Sequence, residues 1–500
     1  MLSTVKDRVI IVNIQRLNTL RLRYYNLPVG LRAAFWFAVC SILQSGISVL
    51  TTPIFTRLLS TDEFGQYSVF QSWNGIISIF VSMRLTAGVY TQGLIKFDKE
   101  RTIYSSSLQG LTLTLCAFWT VVYLLCPEFW NAITKLTKFQ MLEMIALIWS
   151  SAAFGFWAVE QRVNYKYQVL IIVSLAMAVL SPMTSILLVW HSQDKVTARI
   201  TGMTLVSVMS GVWLFAQQMN RGRFFFHERF WRYALGFNLP LIPHYISQTI
   251  LSSADRIMIR ELTSASDAGI YSIAYSVSML MTIFNSAIMQ TMDPWMYQRI
   301  KDKNIKDIKN VAYPALIFIS AANLFLMAFA PEVIRIFAPP AYYDAIWVIP
   351  PVAMSVVFTF SYDLFAKFEF YYEKTKFIMM ASIAGALANV ALNYVFIPIY
   401  GYRAAAYTTL FCYILYALGH YLFMRKVCKD YLDGEEPYAP RVLLGIYGAF
   451  MVAGFLFLFF YSYATIRYGL ILVCIIVLVI FRRIIMSTFE MFLNLRKSKK

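Results

Sequence analysis

The 500-residue sequence predicts an all-α integral membrane protein with about fourteen transmembrane helices and both termini in the cytoplasm. The helices are expected as two parallel six-helix bundles plus an appended helix pair. Three observations carry that expectation. Hydrophobic residues make up 59% of the chain and charged residues only 14%, against roughly a quarter charged in a soluble domain. Apolar runs such as 442–461 and 466–481 continue for about a bilayer's thickness. Lys and Arg gather in alternate loops, as a polytopic chain requires.

In chain order, residues 1–29 read as a basic cytoplasmic lead-in. Lys6, Arg8, Arg16, Arg21 and Arg23 stand among single apolar residues, without the clean apolar core or cleavage site of a secretory signal. Such a segment suits anionic headgroups. Six spans follow over 30–218, at 30–52, 66–88, 103–126, 139–159, 169–190 and 197–218. The second contains Arg84, which breaks its apolar run. Residues 219–233 form a cytoplasmic linker. Six more spans fill 234–424, at 234–258, 268–292, 311–330, 345–365, 377–397 and 403–424. The first of these holds Pro240 and Pro243, which interrupt the backbone ladder of a helix. A cytoplasmic loop over 425–440 leads to the appended pair within 441–485, at 441–462 and 467–485, and a basic tail over 486–500 closes the chain.

Loop charge sets the direction. With the amino terminus inside, the cytoplasmic loops and flanks hold 33 of the 44 Lys and Arg residues, the opposite loops 10, and the remaining one is Arg84. This is the positive-inside pattern, and it accounts for the net charge of +18 without nucleic-acid binding. The six cysteines include no metal-ligand spacing and read as small apolar side chains in a bundle. The four histidines are too scattered for a metal site, and no cofactor motif or phosphate-cradling Gly-rich loop is present.

The chain repeats itself. Phe55 to Leu59, followed by Ser60 to Ser68, has an echo in Ile259 to Leu262, followed by Thr263 to Ser272. Each copy places an arginine (Arg57, Arg260) at a helix end, then a short acidic loop, a glycine (Gly65, Gly269) and a tyrosine-serine pair. The first span thus matches the seventh. An even offset preserves direction through the membrane, so the halves are parallel and related by an axis along the membrane normal.

Charges inside spans are the candidate functional residues. An arginine near the bilayer centre costs about 2.5–3.5 kcal/mol on insertion scales, so it seeks a cavity or a partner. Arg84 either faces a central cavity and meets anionic substrate groups or snorkels to the cytoplasmic face. Asp255 and Arg256 are neighbours that point about 100° apart on a helix, so each needs another partner. Arg256 is a cavity or gate cation in one reading and a structural one in the other. Arg57 and Arg260 read as gate residues or headgroup anchors. His244, after the two prolines, and Asp363 are candidates for ion coupling together with Asp255. The alternative for Asp363 is an interfacial residue paired with Lys367, and for His244 a hydrogen-bonded residue in a kinked helix. Tyr67, Tyr90, Tyr271, Trp295 and Tyr297 read mostly as interfacial belt residues.

Three stretches resemble the bacterial O-antigen and capsule flippases, polysaccharide-biosynthesis exporters of the multidrug/oligosaccharidyl-lipid/polysaccharide superfamily. They are Thr52-Pro53-Ile54-Phe55-Thr56-Arg57 leading to Glu63-Phe64-Gly65-Gln66-Tyr67; Leu239-Pro240-Leu241-Ile242-Pro243-His244 leading to Ser252-Ser253-Ala254-Asp255-Arg256; and Asn389 and Asn393 before Ile397-Pro398-Ile399-Tyr400-Gly401. Arg403 departs from the family's pattern, which favours a small or apolar residue there. The resemblance implies two lobes rocking in alternating access at the bacterial inner membrane. It implies an undecaprenyl-diphosphate-linked oligosaccharide as substrate, the O-antigen, capsule or exopolysaccharide repeat unit. Membrane lipids and the polysaccharide polymerase and chain-length machinery are the implied partners. Rival readings are a lipid II-type flippase and a multidrug or cation antiporter of the same superfamily. An enzyme is not expected, because every predicted outer loop is short.

Overall fold

The computed structural model describes residues 29–480. The lead-in up to residue 28, the basic tail over 486–500 and the end of the last predicted span lie outside the described residues. Among the described residues the chain is helical, with no strand. Among the described residues, ten helical stretches are long and apolar enough to cross a membrane.

The first helices are α1 (Val29–Leu58), α2 (Thr61–Val81), the short α3 (Val89–Lys96), α4 (Arg101–Leu125), the short α5 (Pro127–Thr134), α6 (Lys138–Val163), α7 (Tyr167–His191) and α8 (Lys195–Gly222). Next come α9 (Glu228–Asn238), α10 (Ile242–Leu262), α11 (Ala265–Met279) and α12 (Met281–Lys301). The chain continues with α13 (Ile308–Ala328), the short α14 (Ala330–Phe337), α15 (Ile349–Tyr371), α16 (Thr375–Tyr400), α17 (Arg403–Tyr431), α18 (Pro440–Phe459) and α19 (Ala464–Ile480).

Two local differences from the expected spans have clear causes. The second span starts at Thr61, because Ser60 and Glu63 form a reciprocal cap: the Glu63 N–H donates to Ser60 Oγ (3.2 Å) and the Ser60 N–H to Glu63 Oε2 (2.7 Å). It ends at Val81. Met83 and Arg84 then adopt left-handed backbone (φ 49° and 47°), and Asn238 Nδ2 donates to the freed Met83 carbonyl at 2.8 Å. Arg84 therefore lies in a turn rather than within a helix. The seventh span is broken where the prolines stand: Leu239–Leu241 is a tight turn between α9 and α10.

The described residues cluster into two compact units. One takes the chain up to Thr51 with Val81–His191 and Thr197–Leu239; the other takes Thr52–Phe80, Ser192–Val196 and the chain from Pro240 onward.

The first unit is centred on aromatic packing around Tyr90, Tyr104, Phe156 and Phe230. A buried polar chain crosses it. Gln109 Nε2 donates to Gln218 Oε1 (2.7 Å), and Gln218 Nε2 donates to Glu160 Oε2 (2.6 Å). Tyr90, expected in an interfacial belt, is fully buried here.

In the second unit, α15 packs most extensively on α17, and α16 lies against both α10 and α17. Here the two copies of the repeat meet. A Cβ on Gly65 would lie 1.7 Å from the Ala265 carbonyl oxygen, and one on Gly269 would lie 2.1 Å from the Thr61 oxygen. The contact is reciprocal, as across a two-fold axis. The equivalence extends to the side chains: Ser264 caps α11 through the Asp267 N–H (3.1 Å), as Ser60 caps α2. Ser68 and Ser272 each donate to the carbonyl four residues earlier, at 2.8 and 2.6 Å. Ser266 Oγ donates across the crossing to Thr61 Oγ1 at 2.7 Å.

The appended α18–α19 pair is fastened to the same unit. Arg467, almost wholly buried, donates to both oxygens of Glu332 (2.6 and 2.5 Å) and to the Ala328 carbonyl (2.7 Å), and Tyr468 donates to Glu332 as well (2.6 Å). Partial burial alone would raise the Glu332 carboxyl. The Arg467 and Tyr468 hydrogen bonds outweigh it and hold the group at about 2.

Candidate functional site

Asp255 lies towards the end of α10 and is buried. Burying an unpaired carboxylate costs too much to persist, so partners must converge on it. They come from three other helices. Tyr271 on α11 donates to Oδ2 at 2.7 Å, Thr409 on α17 to Oδ2 at 2.8 Å, and Asn393 on α16 to Oδ1 at 2.6 Å. Around these, Asn393 Nδ2 also reaches Asn389 Oδ1 (3.3 Å), Asn389 Nδ2 donates to Thr409 Oγ1 (3.2 Å), and Thr408 donates to Asn393 Oδ1. Asn389, Asn393 and Thr409 have no exposed surface.

The result is a carboxylate held by two hydroxyls and one amide N–H, all donating to it. Three donors on one carboxylate stabilise its ionised form, and a proton is the ion such a group exchanges. Among the described residues, no group of three or more His, Cys, Asp or Glu could hold a metal ion.

The neighbouring arginine turns away from Asp255. Arg256 Nη1 donates to the Ser252 carbonyl at 3.1 Å, and its guanidinium lies over the Tyr275 ring, 4.2 Å from the centroid. Arg260 lies 3.9 Å from Glu261, and Arg57 donates to the carbonyls of Pro53 (2.8 Å) and Ile336 (3.1 Å). Arg57 thus closes the end of α1 within the second unit. His244, half-buried, stands beside the Tyr245 ring at 6.0 Å. Arg84 belongs to the other unit.

Among the described residues, Asp363 on α15 makes no hydrogen bond or ion pair. The expected partner, Lys367, instead pairs with Asp293 of α12 at 2.9 Å. Of the three candidates for ion coupling, Asp255 is the one held in a buried hydrogen-bond network among the described residues.

Sequence reasoning missed two features. Tyr271, assigned to an interfacial belt, is buried and donates to Asp255. Thr408 and Thr409, just beyond Ala404, Ala405 and Ala406, carry no signal of their own in an apolar run. The spacing of Asn389 and Asn393, one helical turn apart, was the available hint, since polar side chains at i and i+4 share a face.

The profile of the polysaccharide biosynthesis protein family matches residues 31–299, and that of the MatE family matches residues 240–395. A Haemophilus influenzae protein of the Lsg locus is 22% identical over 363 residues, covering 69% of this chain and 86% of its own length. An uncharacterized membrane protein of the same organism is 21% identical over 412 residues, covering 78% of this chain and 94% of its own length. Among solved structures, the lipid II flippase MurJ in an inward closed conformation superposes with a TM-score of 0.65 at 14% identity, covering 87% of this chain and 99% of that one. An inward-facing multidrug resistance MATE transporter gives 0.59 at 15% identity, covering 78% and 96%. These structural likenesses concern the fold.

Proposed function

Because the chain belongs to the polysaccharide biosynthesis protein family, we propose that it flips an undecaprenyl-diphosphate-linked oligosaccharide from the cytoplasmic to the periplasmic leaflet of the bacterial inner membrane. The cargo is an O-antigen, capsule or exopolysaccharide repeat unit, moved by alternating access and coupled to an ion gradient or the membrane potential. The family match over more than half of the chain is the observation that carries this reading.

The residues support it in three ways. A diphosphate needs cations along its path, and Arg84 and Arg256 are the candidates within the membrane segments. Arg57 and Arg260 stand at repeat-related helix ends, where a gate or a headgroup anchor belongs. The buried Asp255, held by two hydroxyls and an amide N–H, is a candidate for ion coupling, since a carboxylate in that setting can accept a proton. Two six-helix lobes over 30–218 and 234–424, expected from the repeat, and cytoplasmic termini, expected from the loop charges, complete the reading. Polymerase and chain-length proteins are the proposed partners on the periplasmic side.

The test is deletion of the gene in a strain without other exporters of the class, followed by analysis of lipid-linked glycan. Accumulated undecaprenyl-linked oligosaccharide and lost surface polysaccharide, both restored by the wild-type gene, are expected. Normal surface polysaccharide in the deletion strain overturns the reading. Growth support on depletion of the lipid II flippase would point to lipid II instead, and exported cationic drugs to an antiporter.

A further inference from the structure

Glu369 on α15 and His420 on α17 form a pair with no solvent-exposed surface on either side chain. His420 Nδ1 lies 2.9 and 2.8 Å from the two carboxylate oxygens, so in the ionised pair Nδ1 carries the hydrogen and donates it. That assignment leaves Nε2 as the atom that gains or loses a proton. Nε2 is buried and meets no hydrogen-bond partner among the described residues. Three aromatic rings enclose the imidazole: Tyr362 at 4.7 Å, Tyr416 at 4.6 Å and Phe377 at 5.5 Å between centroids. Aromatic faces accommodate a cationic ring as well as a neutral one.

Packing does not require this arrangement. A buried ion pair contributes little net stability compared with apolar residues of similar volume, and a helix bundle in lipid could fill the space with leucines. Intramembrane ionisable groups mark ion or substrate paths by default. The pair is also connected. Tyr416 shares a hydrogen bond of 2.9 Å with Ser382 of α16, and Gln248 of α10 donates to Ser382 (3.1 Å) and to Tyr416 (3.5 Å). A polar line thus runs from the imidazole cage to α10, the helix that carries Asp255.

We propose that Glu369 and His420 form a proton-binding site, with His420 Nε2 as the atom that takes the proton and Glu369 as its fixed counter-charge. This deepens the flippase reading and rests on it, by naming the coupling ion as a proton. Uptake forms one N–H bond on Nε2 and breaks none in the protein; Glu369 stays ionised and keeps its contact with Nδ1–H. The protonated pair is electrically neutral. The deprotonated pair carries a buried negative charge, so proton binding changes what the four-helix core of α10, α15, α16 and α17 must accommodate.

The charged and titratable groups around the pair are few. On α15 they are Tyr362, Asp363 and Lys367, with Lys367 paired to Asp293 of α12. On α17 they are Tyr416 and Tyr421, and α18 contributes Tyr447. Lys374, just before α16, is engaged by the Tyr431 hydroxyl at 2.5 Å.

The chain has four histidines, so imidazole-selective 15N labelling of the full protein gives a spectrum of four rings, with His420 identified by its loss in His420→Gln. The His420 Nε2 resonance is followed between about pH 5 and 9 and should change reversibly. In Glu369→Gln that change should come at a different pH, through loss of the adjacent negative charge. An invariant His420 resonance across that range, or the same midpoint in both proteins, overturns the proposal. A second arm uses the deletion strain. Glu369→Gln and His420→Gln should each fail to restore surface glycan, and Glu369→Asp should restore part of it. The paired Glu369→Leu with His420→Leu should insert and remain folded yet stay inactive. Full rescue by the paired leucine variant overturns the proton site while leaving the flippase reading intact. Failure of the wild-type gene to relieve accumulation refutes flipping itself, whatever the histidine does.

Discussion

Gly65→Ala places a methyl group 1.7 Å from the Ala265 carbonyl oxygen, 2.7 Å from the carbonyl carbon and 2.9 Å from the Gly269 nitrogen. An ordinary carbon–oxygen contact is roughly 1.5 Å longer than the first of these, and all three atoms are backbone. No rotamer can relieve the clash, so α2 and α11 must separate. Overpacking of this kind costs about 1–3 kcal/mol, and a backbone-against-backbone contact belongs at the upper end. Separation also stretches the Ser266–Thr61 hydrogen bond of 2.7 Å, worth about 0.5–1.5 kcal/mol. A total loss near 3 kcal/mol is expected, read as reduced thermal stability of the purified protein in detergent. Gly46→Ala is the control. Nothing lies within 4 Å of its added methyl, and alanine in a helix interior should be neutral or favourable by about 0.5–1 kcal/mol. Because the contact is reciprocal, Gly269→Ala should match Gly65→Ala, and the double variant should cost less than the sum. Cysteines at Thr61 and Ser266 report the geometry directly: they should cross-link efficiently in the wild-type background and poorly with Gly65→Ala. Unchanged stability and unchanged cross-linking in Gly65→Ala would refute the tight crossing.

Other variants separate structural from transport roles. Glu332→Gln should lower stability by about 1.5–3 kcal/mol at neutral pH, since charge-assisted hydrogen bonds carry that much. The Glu332 carboxyl is depressed in the folded protein, so its contribution is present above its unfolded value of about 4.3 and is lost as pH falls towards about 2. Wild-type and Glu332→Gln unfolding curves should therefore converge on acidification through that window, and a constant gap would count against the Arg467 pairing. Asp255→Asn keeps the size of the side chain but removes the charge and forces one donor–donor conflict; reduced glycan export with retained membrane insertion is expected, measured by surface polysaccharide against protein level. Arg84→Ala should reduce export without loss of thermal stability, because Arg84 lies in a turn and not in a helix ladder. Full export by that variant would remove Arg84 from the substrate path.

The sequence made the class readable because membrane solvation acts on every residue of a span. Each apolar stretch and each loop charge repeats the same constraint, so errors average out. The break at Pro240 and Pro243 was readable because proline acts on its own backbone. The second span was misjudged for a related reason: its end depends on Asn238, which is 155 positions away from Met83 and invisible to local pattern. Asp255 stood out as a charge in an apolar segment, but its partners Asn393 and Thr409 lie 138 and 154 positions further on. Glu369 read only as a residue near the inner end of a span and His420 as one of four scattered histidines, for the same reason. Each alone resembles a residue at a helix end, and only folding across 51 positions makes them a pair. The tyrosine assignments failed because the same amphipathic ring serves at a headgroup and as a buried donor; Tyr90 and Tyr271 took the second role.

The Gly65 crossing also bears on synthesis. Its partner surface at Ala265 and Gly269 leaves the ribosome roughly 200 residues later. At about 5–20 residues per second, α2 waits some 10–40 s in the bilayer before that surface arrives. During that interval its glycine face, the Thr61 carbonyl and the Thr61 hydroxyl lack the backbone and side chain that will cover them. The same delay applies to every stretch of the early chain that clusters with the later unit, since Thr52–Phe80 joins Pro240 onward rather than its own neighbours in sequence. The nascent first half is thus a holding state, and assembly of the second unit is completed by a late event that draws α2 out of it. Slowed translation between residues 81 and 265 should lengthen that exposure, making the early half more sensitive to membrane proteases and more dependent on insertion factors than the late half.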